Sequence, residues 1–173
     1  MDVKTAFLNG QLSETIYVEQ PHGFKVSKQL NHVCKLNLAL YGLKQAARVW
    51  NKTLEAYLIQ IGFIRLDPDN GVFYHTKITV IIAVYVDDLL LFGPSRNDVD
   101  SIKSKLSARF SMSDLGPCHF YLGIEIIRNR KRRIIYLSQQ AFVDKILNLF
   151  NYQSLNLVAT LMEPNLELPK FDS

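Results

Sequence analysis

Asp87 and Asp88 are the residues in this chain best suited to chemistry. They stand side by side between two apolar runs, Ile82-Ala83-Val84-Tyr85-Val86 and Leu89-Leu90-Leu91-Phe92. A buried charge is costly, and two like charges together are worse. A hairpin tip that offers both carboxylates to divalent cations removes the conflict. Two hard cations held by aspartates are what phosphoryl and nucleotidyl transfer require. The plainer alternative is a turn that happens to use two Asp, a residue turns favour. Asp2 is a third carboxylate, placed just before a strand break. Carboxylates from separate strands could bracket each ion from two sides. Phe7, five residues on, could press against the sugar of an incoming nucleotide. The alternative there is that Asp2 caps a turn and Phe7 belongs to the core.

These residues need a frame. Ile78 to Tyr85 reads as a strand, apolar enough to be buried on both faces, and Leu89 to Phe92 returns antiparallel to it. Val72 to Tyr74 is a neighbouring strand, and 67–71 is a turn. Asp2 to Leu8 reads as strand end and turn, Ile16 to Glu19 as a short strand. Asn31 to Leu40 starts extended, with Val33, Leu36 and Leu38 available for burial. A helix spans about Gln45 to Ile61, since Ala47, Trp50, Leu54, Tyr57, Leu58 and Ile61 recur at helical spacing. Trp50 on that apolar face reads as core, and Gly62 as the C-terminal cap. Ser95 or Asn97 caps a second helix to Phe110, with Ile102 and Leu106 on its buried stripe. Phe120 to Ile127 and Ile134 to Leu137 are strands, and Ser138 caps a last helix over Gln140 to Phe150. The order predicts an α+β fold with antiparallel hairpins and helices on one face.

The chain has 173 residues, 48% hydrophobic, with a net charge of +4. That suffices for a core, argues against long disorder, and is compatible with a nucleic-acid partner. Cys34 and Cys118 match no metal spacing and read as reduced thiols. His22, His32, His75 and His119 are scattered and form no ligand set. The longest apolar stretch, Ile78 to Phe92, carries Asp87 and Asp88 and is too short for a bilayer. No membrane partner is expected. Five of the six residues from Arg128 to Arg133 are cations. They make a solvated hairpin tip or a contact with phosphates. Lys44 and Arg48, one turn apart, are candidate nucleic-acid contacts.

Ordered blocks then carry a resemblance. They are Met1-Asp2-Val3-Lys4-Thr5-Ala6-Phe7-Leu8-Asn9-Gly10, Glu19-Gln20-Pro21-His22-Gly23-Phe24, Leu40-Tyr41-Gly42-Leu43-Lys44-Gln45-Ala46-Ala47-Arg48-Val49-Trp50, Tyr85-Val86-Asp87-Asp88, and Tyr121-Leu122-Gly123-Ile124-Glu125-Ile126 followed by Leu137-Ser138-Gln139. Together they resemble the reverse transcriptase of copia-type long-terminal-repeat retrotransposons, to about Pro164.

The resemblance implies an RNA-directed DNA polymerase that adds deoxynucleotides to a primer 3′ end with two Mg²⁺ ions, for which Mn²⁺ can substitute. Asp2, Asp87 and Asp88 would be catalytic. Asp2 and Asp87 would be shared metal ligands, with the Val3 carbonyl beside Asp2 and Asp88 more peripheral. Phe7 would exclude a 2′-hydroxyl by volume. Tyr41, Gly42 and Gln45 would line the nucleotide pocket. Lys44 and Arg48 would meet nucleic acid, as would Phe120, Tyr121, Leu122 and Gly123, which resemble a primer grip. The implied organisation is a palm over 1–137, the start of a thumb-like connection over 138–160, and a loose tail over 161–173. The expected partners are an RNA or DNA template–primer, dNTPs and the rest of a Pol polyprotein. The expected setting is the cytoplasm, within a virus-like particle, or the nucleus.

The chain opens inside the first catalytic block, so the fingers segment is expected to be missing and the isolated chain inactive. Gln11 and Leu161 stand where the family usually has an acidic residue and a proline. No lysine near Gly116 is placed to protonate leaving pyrophosphate. Two other readings are an inactive palm remnant and a generic nucleic-acid-binding α+β module.

Overall fold

The computed structural model describes residues 1–26 and 31–156. The chain divides into two compact units, Met1–Pro117 and one beginning at Cys118. Each is described by itself.

The first unit is built on an antiparallel sheet. Its strands are β1 (Asp2–Val3), β4 (Phe63–Leu66), β5 (Asp69–His75), β6 (Ile81–Tyr85), β7 (Asp88–Phe92) and β8 (Met112–Ser113), in the spatial order β4-β5-β6-β7-β1-β8. A separate ribbon pairs β2 (Tyr17–Glu19) with β3 (Val33–Lys35). Two helices complete the unit, α1 (Ala46–Gln60) and α2 (Arg96–Arg109).

Residues paired across antiparallel strands share a face, and alternate residues along a strand do too. Val84 pairs with Leu89, Ile82 with Leu91 and with Phe73, and His75 with Phe63. These residues therefore form one face. Phe63, Phe73, Ile82 and Leu89 join Trp50, Leu54 and Leu58 of α1 and Ile102 and Leu106 of α2 in a single buried cluster. Burying each of the large side chains contributes roughly 1.5–3 kcal/mol. The opposite face carries Tyr85, Asp88, Ala83, Leu90, Ile81 and Phe92, paired in that order. The expectation that β6 is buried on both faces is therefore corrected. Ile82 is sealed, but Ile81 and Ala83 are only half-buried and Tyr85 is exposed. The reason is that both helices pack with the Ile82 face.

Ser95 is the cap of α2, its hydroxyl accepting from the Asp98 amide at 3.2 Å. In α1 the buried positions are Ala46, Trp50, Leu54 and Leu58, at strict four-residue spacing, while Ala47 is exposed. Gly62 ends this segment with φ +102°, and a Cβ there would lie 3.0 Å from His75 Nε2. His75 is buried, and its roles are structural. Its Nδ1 accepts from the amides of Lys77 and Ile78, which leaves Nε2–H to donate to the Ile61 carbonyl at 3.1 Å. The expected turn over 67–71 is tighter than that, because β5 already begins at Asp69. Val33 remains exposed, since the β2–β3 ribbon pairs only with itself; Leu38, beyond β3 and bridged to Gln11, is exposed as well.

The second unit holds β9 (Phe120–Tyr121), β10 (Ile124–Asn129), β11 (Ile134–Ser138) and α3 (Gln140–Leu149), with the strands in the order β11-β10-β9. The single strand expected over Phe120 to Ile127 is instead a tight hairpin. Leu122 and Gly123 both take positive φ, 50° and 80°, the pattern of a type I′ turn. Ser138 is instead the last residue of β11, its Oγ accepting from the Gln140 amide at 3.1 Å. The expected cap falls one residue later, at Gln139, whose carbonyl accepts the first helical bonds and whose side chain makes no cap bond. The expected tail over 161–173 and the end of the thumb-like connection lie outside the described residues.

Candidate active site

The two apolar runs around Asp87 and Asp88 form β6 and β7, joined by a two-residue loop. Tyr85 pairs with Asp88, so Val86 and Asp87 are the loop. β1 then lies against β7 with Asp2 directly opposite Asp88. Two carboxylates thus face each other across neighbouring strands, on the sheet face away from the helices. Asp87 follows on the adjoining turn. A register that places like charges opposite one another is destabilising unless something compensates.

The register is set by backbone bonds. The Leu89 amide donates to the Met1 carbonyl at 2.8 Å, and the Val3 amide donates to the Asp87 carbonyl at 2.9 Å. Val3 itself is buried in the core cluster, so β1 is fixed from both sides. On its other edge Asp2 pairs with Ser113 of β8.

Val86 has φ 56°, left-handed backbone that a β-branched residue rarely adopts. Such a position costs about 1–3 kcal/mol and persists only where the surroundings hold it. Here the holder is on α1. The indole Nε1–H of Trp50 donates to the Val86 carbonyl at 2.6 Å. Trp50 is 2% exposed and meets the Phe110 ring edge-on at 5.2 Å.

The electrostatics register the crowding. The Asp88 carboxyl is pushed above its ordinary value by burial first, then by Asp87 and by Asp2, with the Met1 amino group pulling the other way. Like charges close enough to raise a carboxyl are what a cation would relieve. The donors are hard carboxylate oxygens, which suit Mg²⁺ in kind. Among the described residues, no three His, Cys, Asp or Glu side chains converge as a closed ligand set.

Phe7 lies in a short 3-10 helix, Ala6–Asn9, packed partly on the core. Its ring meets that of Tyr41 at 4.5 Å, tilted by 50°. Tyr41 is presented by a turn in which the Leu43 amide donates to the Leu40 carbonyl and Gly42 has φ +91°. Positive φ at that place defines a type II turn and favours glycine. The structure therefore brings Phe7 and Tyr41 together.

Gln45 is the N-cap position of α1 and Arg48 lies in its first turn. They line a cleft of about 670 Å³ with Asn9, Gln11, Glu14, Lys52 and Arg109, among others. Gln45 donates to Glu14 at 3.3 Å. Arg48, Lys52 and Arg109 are all exposed. Lys44 precedes α1, is exposed, and does not line the cleft. Phe120, Tyr121, Leu122 and Gly123 form the β9–β10 hairpin of the second unit. Arg128 ends in β10, while Arg130, Lys131, Arg132 and Arg133 form the exposed loop before β11.

Two features escaped the sequence reading. Lys52 and Arg109 are far apart in the chain and line the same cleft only in the folded unit. Trp50 was legible as core, but its hydrogen bond was not. The available signal was that a buried indole N–H needs a partner.

Comparison with known proteins shows the family. A family profile for reverse transcriptase (RNA-dependent DNA polymerase) matches residues 1–164, and the chain belongs to that family. Its relatives are retrotransposon Pol polyproteins of the copia/Ty1 type. It is 39% identical, over 98% of its length, to the retrovirus-related Pol polyprotein from transposon TNT 1-94 of Nicotiana tabacum. It is 39% identical over 97% of its length to that from transposon RE1 of Arabidopsis thaliana. It is 40% identical over 84% to a putative transposon Ty5-1 protein of Saccharomyces cerevisiae. The matched segments make up 13%, 12% and 47% of those proteins. No solved structure matches. Among the described residues, no helix is long and apolar enough to cross a membrane.

Proposed function

We propose that this chain is the polymerising segment of an RNA-directed DNA polymerase, working within a longer Pol polyprotein on an RNA or DNA template–primer and dNTPs. The observation that carries this reading is the register of β1 on β7, which sets Asp2 opposite Asp88 with Asp87 on the adjoining turn. Asp2 and Asp87 would be the shared ligands for two Mg²⁺ ions, or Mn²⁺ in their place, with the Val3 carbonyl beside Asp2 and Asp88 more peripheral. When bound, such ions activate the primer 3′-hydroxyl and neutralise the triphosphate.

The chain's own groups do the rest. Phe7, steadied by the Tyr41 ring, stands against the sugar and excludes a 2′-hydroxyl by volume. Gly42 leaves the backbone there open for the nucleotide, and Gln45 borders it. Lys44 and Arg48 meet strand phosphates, which neutral donors alone hold less tightly. The β9–β10 hairpin, Phe120 to Gly123, holds the primer end. In these terms 1–137 is a palm and 138–160 begins a thumb-like connection. In an intact element the enzyme works in the cytoplasm, in a virus-like particle, or in the nucleus.

The test is primer extension on an RNA template with Mg²⁺. The chain is assayed alone and in place of the matching segment of the TNT 1-94 polyprotein, each with Asp87→Asn. The proposal expects extension by the chimera that Asp87→Asn lowers at least about a thousandfold, the scale of losing a group that stabilises transition-state charge. Equal extension by the Asp87→Asn chimera sinks the assignment. Extension by neither chimera nor chain, with both folded, assigns the segment to an inactive palm remnant.

A further inference from the structure

Asp87 is held between two pinned peptide groups. The Asp87–Asp88 peptide is fixed because its carbonyl accepts from the Val3 amide at 2.9 Å. The Val86–Asp87 peptide is fixed because its carbonyl accepts from Trp50 Nε1–H at 2.6 Å. The first bond comes from within the sheet. The second comes from α1, a helix on the opposite side of the sheet from the paired Asp2 and Asp88.

We infer that Trp50 is a positioning residue for the carboxylate site: its indole N–H sets the plane of the Val86–Asp87 peptide and so the direction in which Asp87 leaves the hairpin tip. This rests on the reading of Asp2, Asp87 and Asp88 as a divalent-cation site. The physical argument has three parts. The left-handed backbone at Val86 is not one that valine selects by itself, so the tip depends on outside contacts. Without the indole donor, that peptide can rotate about ψ of Val86 and φ of Asp87, and Asp87 is the side chain such a rotation carries. Finally, Trp50 is poor at moving. It is 2% exposed, packs edge-on against Phe110, and sits in mid-helix between Ala46 and Leu54 of the same buried stripe. A rigid donor on a rigid element is how ligand direction is fixed at a metal site.

Trp50 is the chain's one tryptophan. Its N–H can therefore be deleted alone by biosynthetic replacement with benzothienylalanine, which keeps the bicyclic shape and puts sulfur in place of the N–H. Asp87→Asn and Trp50→Phe are made beside it. The readouts are the thermal melting point, the Val86 and Asp87 amide resonances, and the apparent Mn²⁺ affinity from paramagnetic broadening of those resonances. All use the whole chain without nucleic acid.

The inference expects the benzothienyl protein to melt within a few degrees of the native one, with displaced Val86 and Asp87 amides and Mn²⁺ affinity about tenfold or more lower, the usual effect of removing an outer-shell partner. Trp50→Phe should lose affinity similarly. A benzothienyl protein with unchanged Mn²⁺ affinity overturns the role of Trp50 while leaving the carboxylate site standing, because Asp87→Asn still lowers affinity. If Mn²⁺ fails to broaden these resonances even in the native protein, both the cation site and the role of Trp50 fall.

Discussion

Asp88 faces Asp2 and adjoins Asp87, and its raised carboxyl means that the folded chain works against its own charge there. The sign follows from linkage. Below the ordinary value of 3.8 the group is protonated whether the chain is folded or not. As pH rises, the unfolded chain ionises first, so stability falls until the folded group also ionises, and the deficit then persists to neutrality. Asp88→Asn should therefore raise the melting temperature at pH 7 by about 2 °C after discount for solvent screening, with the gain vanishing near pH 3. A melting series across pH checks this. Mg²⁺ should close part of the same gap in the native chain.

Asp114 behaves in the opposite sense. Its hydrogen bond to Lys103, and then that from the Gly116 amide, hold its carboxyl below the ordinary value. It contributes stability above that value, lost as pH falls through the depressed one. Asp114→Asn should cost no more than about 1 kcal/mol at pH 7 and nothing in strong acid. Denaturant midpoints at the two pH values measure it. At Phe7, loss of bulk should relax sugar choice. Phe7→Val in the polyprotein chimera is expected to raise ribonucleotide incorporation relative to deoxynucleotide by about tenfold to a hundredfold. Residue chemistry was the most legible scale. Asp87 and Asp88 drew attention through residue type and neighbours, whereas Asp2 read first as a turn cap, and its place opposite Asp88 is visible only in the fold. The Trp50–Val86 bond did not, because it joins positions 36 apart and depends on packing.

Among elements, helices declared themselves through periodicity. The spacing of Trp50, Leu54 and Leu58 placed α1 to within a residue at each end, while for α2 the sequence left Ser95 and Asn97 as rival caps and the structure selects Ser95. Strands were harder, since a run such as Phe120 to Ile127 has the apolar content of one strand and folds as two. The deciding feature is positive φ at Leu122 beside Gly123, which composition does not reveal. The insertion of β1 between β7 and β8 was likewise hidden, because a two-residue strand carries no period. α1 presents two unlike sides, with Trp50 inward and Arg48 and Lys52 on the cleft. Arg48→Glu should weaken binding of a single-stranded oligonucleotide roughly uniformly across sequences and reduce the salt slope by about 1. Anisotropy titrations at several salt concentrations read both. An unchanged slope would remove Arg48 from the interface.

For the whole molecule, the α+β class and antiparallel sheet were legible from the alternation of elements, and the family from blocks spread along nearly the whole chain. The division at Pro117 was not, because no change of composition marks it. The matched segment is 13% of the TNT 1-94 polyprotein, so function is a property to be measured in that longer setting as well as in this chain. The proposed cation site would lie within this chain, with carboxylates from β1 and from the β6–β7 hairpin acting together. The most direct measurement is Mn²⁺ binding to the whole chain by electron paramagnetic resonance, native against Asp2→Asn and Asp87→Asn. The account predicts saturable binding that either substitution weakens about tenfold or more, the loss expected when a ligand is removed from a shared site. Binding by Asp2→Asn equal to native would show that β1 and the hairpin do not share an ion, and would contradict it.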